Sequence, residues 1–231
     1  MGVPHTIAVV GLAFEAKIAA GPGVAVVGRA TGHKLEASLA RALRKSCRGV
    51  ISFGIAGGLT HDLHPGDVIV ASSIIDSDGS HPIDPIWAKK LLSAFPGARH
   101  APLAGVDAPL ADPAGKSALH EATGALAVDM ESHIAGRFAA AHGLGFAAVR
   151  VVADPAARVL PHAALVGMRS DGTIDLWAVL RSLARRSTQV PALLRVARDA
   201  SAARNSLRRG RRLLGPGFGL LDLGELQLDV A

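Results

Sequence analysis

The amino-acid sequence predicts an α/β fold of three layers, in which helices cover both faces of a mixed, mostly parallel central sheet. Two observations lead to this prediction. Short apolar segments rich in β-branched residues alternate with segments of helical spacing along the first 155 residues. Residues 125–154 also form one strand–helix–strand pattern, because the helical segment 130–142 lies between two apolar runs and is followed by Gly143.

The individual elements follow from these two periodicities. Seven apolar runs predict strands at residues 6–11, 24–28, 49–53, 67–74, 101–106, 125–128 and 146–152. Four segments with helical spacing predict helices at residues 33–46, 86–95, 114–122 and 130–142. Residues 12–28 are short for a crossover connection, so we expect an antiparallel hairpin there and hence a mixed sheet.

The connections and the C-terminal part are less regular. Residues 76–85 are rich in turn-forming residues and predict a loop that could cover the mouth of a site. From residue 174 onward we expect two helices with a break near Pro191, followed by a poorly ordered tail of about fifteen residues. The chain is therefore divided into a main domain, residues 1–189, and a basic helix with a flexible tail, residues 190–231.

Composition limits the class of protein. With 231 residues, 49% of them hydrophobic, the chain is long enough for one domain with a sizeable core. The single cysteine, Cys47, excludes an intramolecular disulfide and is compatible with a reducing cytosol. The sequence has no apolar run near about 20 residues and no secretory pattern at its N-terminus. We therefore expect a soluble, cytoplasmic protein.

The net charge of +6 comes from one segment. Residues 1–180 hold fifteen basic and fifteen acidic side chains, whereas residues 181–212 hold ten arginines and one acidic residue, Asp199. Because the main body is neutral and only 3% of residues are aromatic, nucleic-acid binding by that body is not expected.

The arginine-rich segment 190–214 has helical periodicity. Its apolar face is formed by Leu193, Ala197, Ala200, Leu207 and Leu214. One interpretation is a basic amphipathic helix that binds the inner face of a membrane. The other is a helix packed on the core with a solvated basic face.

Two short motifs carry carboxylates at the ends of buried strands. They are V-D-M-E-S at 128–132 and V-R-V-V-A-D at 149–154. Ligands of open α/β sheets bind at the carboxyl ends of strands, so we expect Glu131 and Asp154 to face one crevice. The alternative is purely structural, with Glu131 as a charge at a helix N-terminus and Asp154 as a cap before Pro155.

Further motifs give these carboxylates a family context. T-I-A-V-V-G followed by L-A-F-E-A, then F-G-I-A-G-G-L-T, then H-P-G-D-V-I-V-A-S precede them in the chain. With the motifs in this order, residues 5–155 resemble the purine nucleoside phosphorylase and methylthioadenosine/S-adenosylhomocysteine nucleosidase family. The resemblance is closer still to the hopanoid-associated phosphorylase branch, at V-G-L-A-F-E-A, F-G-I-A-G-G-L, G-V-D-A-P and L-A-V-D-M-E-S-H.

This resemblance implies a reaction and a substrate. Residues 1–189 would form a nucleoside phosphorylase-like catalytic domain that releases adenine from a 5′-modified adenosine. In the hopanoid branch the substrate would be adenosylhopane, and the product a ribosyl or phosphoribosyl hopane used in hopanoid biosynthesis.

Cleavage of a purine N-glycosidic bond requires an activated leaving group, support for a cationic sugar and a nucleophile. We assign Asp154 to purine N7, a role that requires burial to raise its pKa. Glu131 would accept hydrogen bonds from the ribose 2′- and 3′-hydroxyls. Met130 would lie against the sugar, unless it is a plain core methionine. Glu15 would orient the nucleophile.

The nucleophile itself, water or inorganic phosphate, is left open by the sequence, and no other cofactor is expected. The glycine-rich loop at 54–59 allows backbone N–H groups to approach a ligand, and we assign Gly57 and Gly58 to the substrate site. If phosphate takes part, Arg29, Thr31 and Gly32 are the residues expected to bind it.

The sequence departs from the family at the purine edge. Asp107, Pro109 and Leu110 align with a segment in which family nucleosidases carry an aromatic residue that stacks on the base. Ala153 stands where those enzymes usually have a serine before the aspartate. Both departures count against ordinary methylthioadenosine/S-adenosylhomocysteine nucleosidase activity.

The sequence also suggests a metal site and two other classes of protein. His61, His64 and Asp67 suggest a metal site, but Pro65–Gly66 forms a turn between them and no further ligands follow at the usual spacing, so no metal is expected. The remaining alternatives are a methylthioadenosine/S-adenosylhomocysteine nucleosidase and a non-catalytic, membrane-recruited nucleoside-binding protein. An assay for adenine release separates the enzymes from the binding protein. We also expect a homo-oligomer, most simply a homodimer.

Overall fold

The structure is a computed structural model that describes residues 5–28, 32–158 and 190–223. In chain order its elements are β1 (His5–Val10), α1 (Ala13–Ala19), β2 (Val24–Gly28), α2 (Gly32–Ala42), β3 (Cys47–Gly58), β4 (Val68–Asp76), β5 (Gly79–Pro82), α3 (Pro85–Ala94), β6 (Arg99–Gly105), α4 (Pro113–Thr123), β7 (Ala127–Asp129), α5 (Ser132–Ala141), β8 (Gly145–Asp154), α6 (Val190–Leu213) and a 3-10 helix (Pro216–Leu223).

The strands form one mixed sheet in the order β2-β1-β3-β7-β6-β4-β5, with β8 paired to both β3 and β4. Because β8 bridges β3 and β4, the pairings β3–β8–β4–β6–β7–β3 close on themselves. Parallel pairs outnumber antiparallel ones, as β3–β7, β4–β8 and β4–β5 are the antiparallel pairs among the described strands. The predicted mixed, mostly parallel sheet is confirmed.

Helices cover the sheet on two faces. One core cluster contains Leu35 and Leu39 of α2 with Ile134 and Phe138 of α5. A second cluster contains apolar side chains of α3, α6 and the 3-10 helix, with Trp87 as its largest member. The strands between the clusters are fully buried over long runs because apolar side chains leave both faces of the sheet.

The expected antiparallel hairpin at residues 12–28 is wrong. Strands β1 and β2 are parallel, with Thr6 paired to Val24 and Val10 to Gly28, and helix α1 connects them. Seven helical residues suffice because Gly23 adopts a positive φ of 71° and turns the chain directly into β2.

The predicted loop at residues 76–85 is partly a hairpin. Residues 79–82 form β5, which pairs with the end of β4. The Asp76 carboxylate organises the turn, since it accepts hydrogen bonds from the backbone N–H groups of Asp78 and Gly79 and lies 2.7 Å from Arg137 Nη1. An Asx turn of this kind is a local interaction that polar composition alone does not distinguish from an open loop.

The predicted poorly ordered tail is wrong for residues 216–223. They form the 3-10 helix, and the Phe218 side chain is fully buried against Phe53, at a ring-centroid distance of 5.0 Å. The Trp87 indole donates to the Phe218 carbonyl at 3.0 Å, and Thr6 Oγ1 donates to Gly217 O at 2.8 Å. The glycine content that suggests disorder instead allows the positive φ values of Gly217 and Gly219.

Truncation of Phe218 to alanine should therefore destabilise the whole domain. We expect a loss of about 3–5 kcal/mol in the free energy of unfolding, because the change leaves a cavity in the core. Urea titration followed by circular dichroism measures it. Leu213→Ala is the matched control, since Leu213 is 65% exposed and its truncation should cost little. Equal midpoints for the two variants would contradict the packing described.

Helix α6 begins at Val190, and Pro191 lies in its first turn; the expected helix at 174–189 and the domain boundary at 189 fall outside the described residues. Of the predicted apolar face, Leu207 and Leu214 are buried in the core, whereas Ala197 is exposed. The structure thus matches the core-packed interpretation of this helix. Among the described residues, no helix is both long and apolar enough to cross a membrane.

Candidate active site

The adjacent parallel strands β3 and β8 set the frame of the site. Gly54 of β3 pairs with Arg150 of β8, and after a register shift Gly57 pairs with Asp154. Three residues along a strand span roughly 10 Å. The paired strands β3 and β8 therefore carry two polar groups separated by about the length of a nucleoside. One group surrounds Arg150 and the other surrounds Asp154.

Glu15, in the first turn of α1, is buried beside the middle of β3. Its Oε2 accepts hydrogen bonds from the backbone N–H groups of Gly11 at 2.9 Å and Leu12 at 2.7 Å. Its Oε1 accepts one from Ile55 N–H at 2.7 Å. The carboxylate therefore ties the β1–α1 turn to β3 and is held in one orientation.

Arg150 is the centre of the first group. Its side chain is 1% exposed, and its guanidinium lies 3.0 Å from Asp129 Oδ2 and 3.3 Å from Glu131 Oε2. Nη2 also donates to Ser52 Oγ at 2.5 Å. Burial of one cation beside several carboxylates is tolerated because the charges and hydrogen bonds compensate each other.

Asp129, not Glu131, provides the helix-capping interaction at α5. Its Oδ1 accepts from the backbone N–H groups of Glu131 at 2.8 Å and Ser132 at 2.7 Å, which satisfies donors of the first turn. The Glu131 side chain makes no capping hydrogen bond and is directed to Arg150. Glu131 therefore lies at the N-terminus of α5, as the purely structural alternative expects, and its carboxylate also contacts Arg150.

Burial and mutual repulsion perturb the acids of this group. The pKa of Glu131 is raised to about 7, because burial and the charges of Asp129 and Glu15 together outweigh the opposing effect of Arg150. Desolvation also raises the pKa of Glu15, again against the opposing effect of Arg150. Near neutral pH the group can therefore hold and exchange a proton, as acid–base catalysis requires.

Gly54 is needed for this packing. A Cβ atom at Gly54 would lie 2.5 Å from Glu15 Oε1 and 2.6 Å from Arg150 Nη1. We expect Gly54→Ala to displace both groups, lowering the free energy of unfolding and the activity per folded molecule. Gly210→Ala is the comparison, because its Cβ would clash with Phe95 far from these acids and should lower stability alone. An active-site titration combined with denaturation measures both quantities, and unchanged specific activity in Gly54→Ala would contradict the arrangement.

Asp154 ends β8 and forms the second group with Lys116 of α4. Lys116 Nζ donates to Asp154 Oδ2 at 2.6 Å and to the Pro155 carbonyl at 3.0 Å. Asp154 Oδ1 is buried and has no hydrogen-bond partner in the described part of the chain. Burial raises the pKa of Asp154, and the Lys116 cation partly offsets this effect.

The predicted glycine-rich loop at residues 54–59 is instead a continuation of β3 as far as Gly58, because its backbone pairs with β7 and β8. Gly57 separates β7 from β8, since a Cβ at this position would be 3.4 Å from Val128 Cγ1 and 3.7 Å from Asp154 Oδ2. Gly58 is buried and pairs with Ala127. Met130 is half-buried in the turn between β7 and α5. Gly57 thus leaves the floor of the site free of side chains.

The predicted purine-edge segment lies between β6 and α4 and is largely exposed. The Asp107 side chain is 89% exposed, and its Oδ1 lies 3.1 Å from His133 Nε2. Pro109 is exposed, and Leu110 packs against the cluster that contains Leu59 and Val128. This segment therefore forms a rim rather than a closed wall.

The structure describes one of the three predicted phosphate ligands, Gly32. Gly32 begins α2 with a φ of 53°, and a Cβ there would meet no atom within 4 Å. Arg29 and Thr31 lie outside the described residues, so their role stays a prediction. Within the described ranges, no three His, Cys, Asp or Glu side chains are arranged to hold a metal ion.

Three polar residues of the site were not singled out from the sequence: Arg150, Asp129 and Lys116. A signal existed for Arg150, a charged residue that interrupts an apolar strand four residues before Asp154. The signal for Lys116 was weaker, because it lies with Leu119 and Thr123 on one helical face. A lysine at such a position is ordinarily solvated.

Solved structures with the same fold include three nucleosidases or hydrolases. They are the Helicobacter pylori 5′-methylthioadenosine/S-adenosylhomocysteine nucleosidase (TM-score 0.63, 14% identity, 92% of this chain and 97% of that one), the Helicobacter pylori futalosine hydrolase (0.62, 14%, 91% and 96%) and the Streptococcus pneumoniae 5′-methylthioadenosine/S-adenosylhomocysteine nucleosidase with a transition-state inhibitor (0.62, 14%, 90% and 99%). No curated protein sequence matches this chain.

The fold and the buried acid groups define an enzyme of the nucleoside phosphorylase and nucleosidase class. Residues 6–195 match the model of the phosphorylase superfamily. The chain belongs to that superfamily. The family resemblance of the sequence is confirmed at this level.

Proposed function

We propose that the protein cleaves the N-glycosidic bond of a 5′-modified adenosine and releases adenine. The observation that carries this proposal is the separation of two polar groups along β3 and β8, one at Arg150 and one at Asp154. The Glu131 carboxylate near Arg150 suits the ribose hydroxyls, and the unpartnered Asp154 Oδ1 suits purine N7. A nucleoside bound along these two strands would contact both polar groups.

In the proposed reaction, Asp154 gives a proton to N7 while the glycosidic bond breaks. The bonding electron pair moves into the purine, which leaves as neutral adenine, and the sugar becomes cationic. The ionised Glu131 strengthens its hydrogen bonds to the 2′- and 3′-hydroxyls as that charge develops. Arg150 holds Glu131 in place through Nη2, 3.3 Å from Oε2.

We propose water as the nucleophile at C1′. Around Arg150, the described structure places three carboxylates, those of Glu15, Asp129 and Glu131. The three carboxylates outnumber the single cation of this group, Arg150. A phosphate anion would be repelled by them, whereas water carries no charge and meets no such repulsion. Glu15, with its pKa raised by burial, would take the proton from the water. Phosphorolysis would require cations supplied by residues such as Arg29.

The 5′ substituent is the finer part of the proposal. Resemblance to the hopanoid-associated branch favours adenosylhopane. The second candidate, methylthioadenosine or S-adenosylhomocysteine, is favoured by the similarity to the nucleosidases named above.

The deciding experiment measures adenine release from adenosylhopane and from methylthioadenosine, each with and without phosphate. We expect release that does not depend on phosphate and a higher kcat/KM for adenosylhopane. Phosphate dependence with a sugar 1-phosphate product would instead establish phosphorolysis. Preference for methylthioadenosine would select the second candidate, and no adenine release from either compound would contradict the proposed activity.

We also propose that the protein acts at the inner membrane surface as a homo-oligomer. Because Leu207 and Leu214 are buried, contact with lipid would be electrostatic, through exposed arginines of α6 such as Arg204, Arg208 and Arg212. Anionic liposomes should sediment the full chain at low salt, but not a variant with these three arginines changed to glutamine. Equal sedimentation would contradict membrane docking by this helix. Light scattering at micromolar concentration tests the predicted homodimer.

A further inference from the structure

Helix α4 buries a lysine where an apolar residue would be expected. Lys116 is fully buried, whereas every other residue of this helix is partly or largely exposed. Burial of an ammonium group costs free energy unless a charged partner compensates it, and an ion pair seldom stabilises a fold more than apolar packing does. Stability therefore does not explain the residue, and its contacts indicate another purpose.

The hydrogen bonds of the Lys116 ammonium are made to two oxygen atoms at the end of β8. It donates to Asp154 Oδ2 at 2.6 Å and to the Pro155 carbonyl at 3.0 Å, so the carboxyl group is fixed from one side. Ala153 offers no hydroxyl that could share this task. Asp154 Oδ1 remains without a partner among the described residues. One oxygen is thus held by Lys116, and the other is buried without a partner, so that a ligand reaching it would satisfy it.

We propose that Lys116 is a positioning residue that orients Asp154 toward purine N7 and stabilises the carboxylate left behind when the proton is transferred. The inference rests on the proposed function. The proton moves from Asp154 Oδ1 to N7, the glycosidic electron pair moves into the purine, and Lys116 keeps all its protons. Lys116 stays protonated throughout. Its positive charge stabilises the negative charge that develops on the Asp154 carboxyl group, which it already contacts.

The electrostatic surroundings of Asp154 are consistent with this role. Its pKa is raised by burial and lowered by Lys116, with smaller opposing effects from Arg158 and Asp199. Arg158 and Asp199 form an ion pair with each other, so their charges largely offset. Burial thus favours the protonated acid, while Lys116 stabilises its conjugate base.

The test is the pH dependence of adenine release by Lys116→Met. This variant should fold, because Asp154 can become neutral by keeping its proton. Activity of the wild type should fall as pH rises through the pKa of Asp154. In the variant we expect this fall to move to higher pH by about one unit, together with about a tenfold lower plateau kcat. Lys89→Met, which removes an exposed lysine of α3, is the control.

A role in packing alone would lower the rate without moving the pH profile, and that result would overturn the inference. A second readout is the double variant Lys116→Met/Asp154→Asn. If Lys116 acts through Asp154, the loss caused by Lys116→Met disappears in the Asp154→Asn background. An equal loss in both backgrounds would also overturn it.

A binding measurement separates this inference from the proposed function. Calorimetry of adenine binding between pH 5 and 9 requires no turnover, so it applies even if the wild type cleaves none of the nucleosides tested. The pH at which the affinity changes should be higher in Lys116→Met than in the wild type. Identical pH dependence in both proteins would refute the role of Lys116, whereas absent cleavage with shifted binding would refute only the proposed reaction.

Discussion

Asp154→Asn should lose most adenine release, with kcat falling by about 10²–10⁴-fold, the range associated with removal of a general acid. The amide cannot donate an acidic proton to N7, although it can still accept the hydrogen bond from Lys116. The buried, unpartnered Oδ1 and the 2.6 Å contact of Oδ2 with Lys116 Nζ are the basis for this expectation. Steady-state assays with a saturating 5′-modified adenosine measure the effect.

Stability must be followed in the same variant, because Lys116 loses its charged partner. Asp62→Asn is the matched control: it removes an aspartate that also pairs with a cation, Arg99, but on the surface. We expect the control to keep wild-type kcat and nearly wild-type stability. If folded Asp154→Asn retains more than half of the wild-type kcat, Asp154 is not the acid.

Glu131→Gln should lower kcat/KM by about two orders of magnitude, the scale expected when a hydrogen bond to developing charge is removed. Glutamine is close in size and can still contact Arg150, so the loss would report on the missing negative charge. The wild type should also discriminate against 2′-deoxy substrates, because one of the two hydroxyl contacts is then absent. Equal kcat/KM for ribo- and 2′-deoxyribonucleosides would contradict this role.

The same substitution should change how stability depends on pH. The pKa of Glu131 is about 7 in the folded protein and 4.5 as an ordinary glutamate, so between these values the folded state binds more protons than the unfolded state. Stability contributed by this group is therefore present below pH 4.5 and is lost as pH rises toward 7. Glutamine does not titrate, so the variant lacks this loss.

We expect the difference in Tm, variant minus wild type, to increase between pH 5 and pH 8. Thermal unfolding by circular dichroism in matched buffers measures it. A difference that stays constant over this range would show that Glu131 is not proton-linked to folding. A gain in stability together with a loss of activity is the usual signature of a strained functional group.

Much of the fold followed from periodicity. The β-branched runs and the strand–helix–strand pattern at 125–154 predicted the buried mixed sheet, since apolar side chains on both faces require covering layers. Errors occurred where one specific interaction decided the outcome, within a turn for Asp76 and between distant parts of the chain for Phe218. The carboxylate of Asp76 organises a hairpin turn, and Phe218 anchors a segment whose glycines suggested disorder.

The acids at strand ends were likewise found from the sequence, and the structure brings Glu15 and Glu131 together at Arg150. Their predicted roles depend on experiments, and the sequence placed each next to the end of a strand without predicting that the two lie together. A Cβ at Gly32 would meet no described atom within 4 Å, and the Asp107 side chain is 89% exposed, so the roles assigned to these residues stay predictions.

The sequence by itself determined the fold class, the superfamily and the candidate carboxylates Glu15, Glu131 and Asp154, because these depend on local periodicity and on residues that adjoin strand ends. Only the tertiary structure decided the cations and Asp129. Arg150 and Lys116 are ordinary basic residues in the sequence, and each becomes a site residue because strand pairing or helix packing places it in a buried environment beside a carboxylate. Burial makes charge pairing obligatory, and burial is a property of the assembled chain, not of any segment of it.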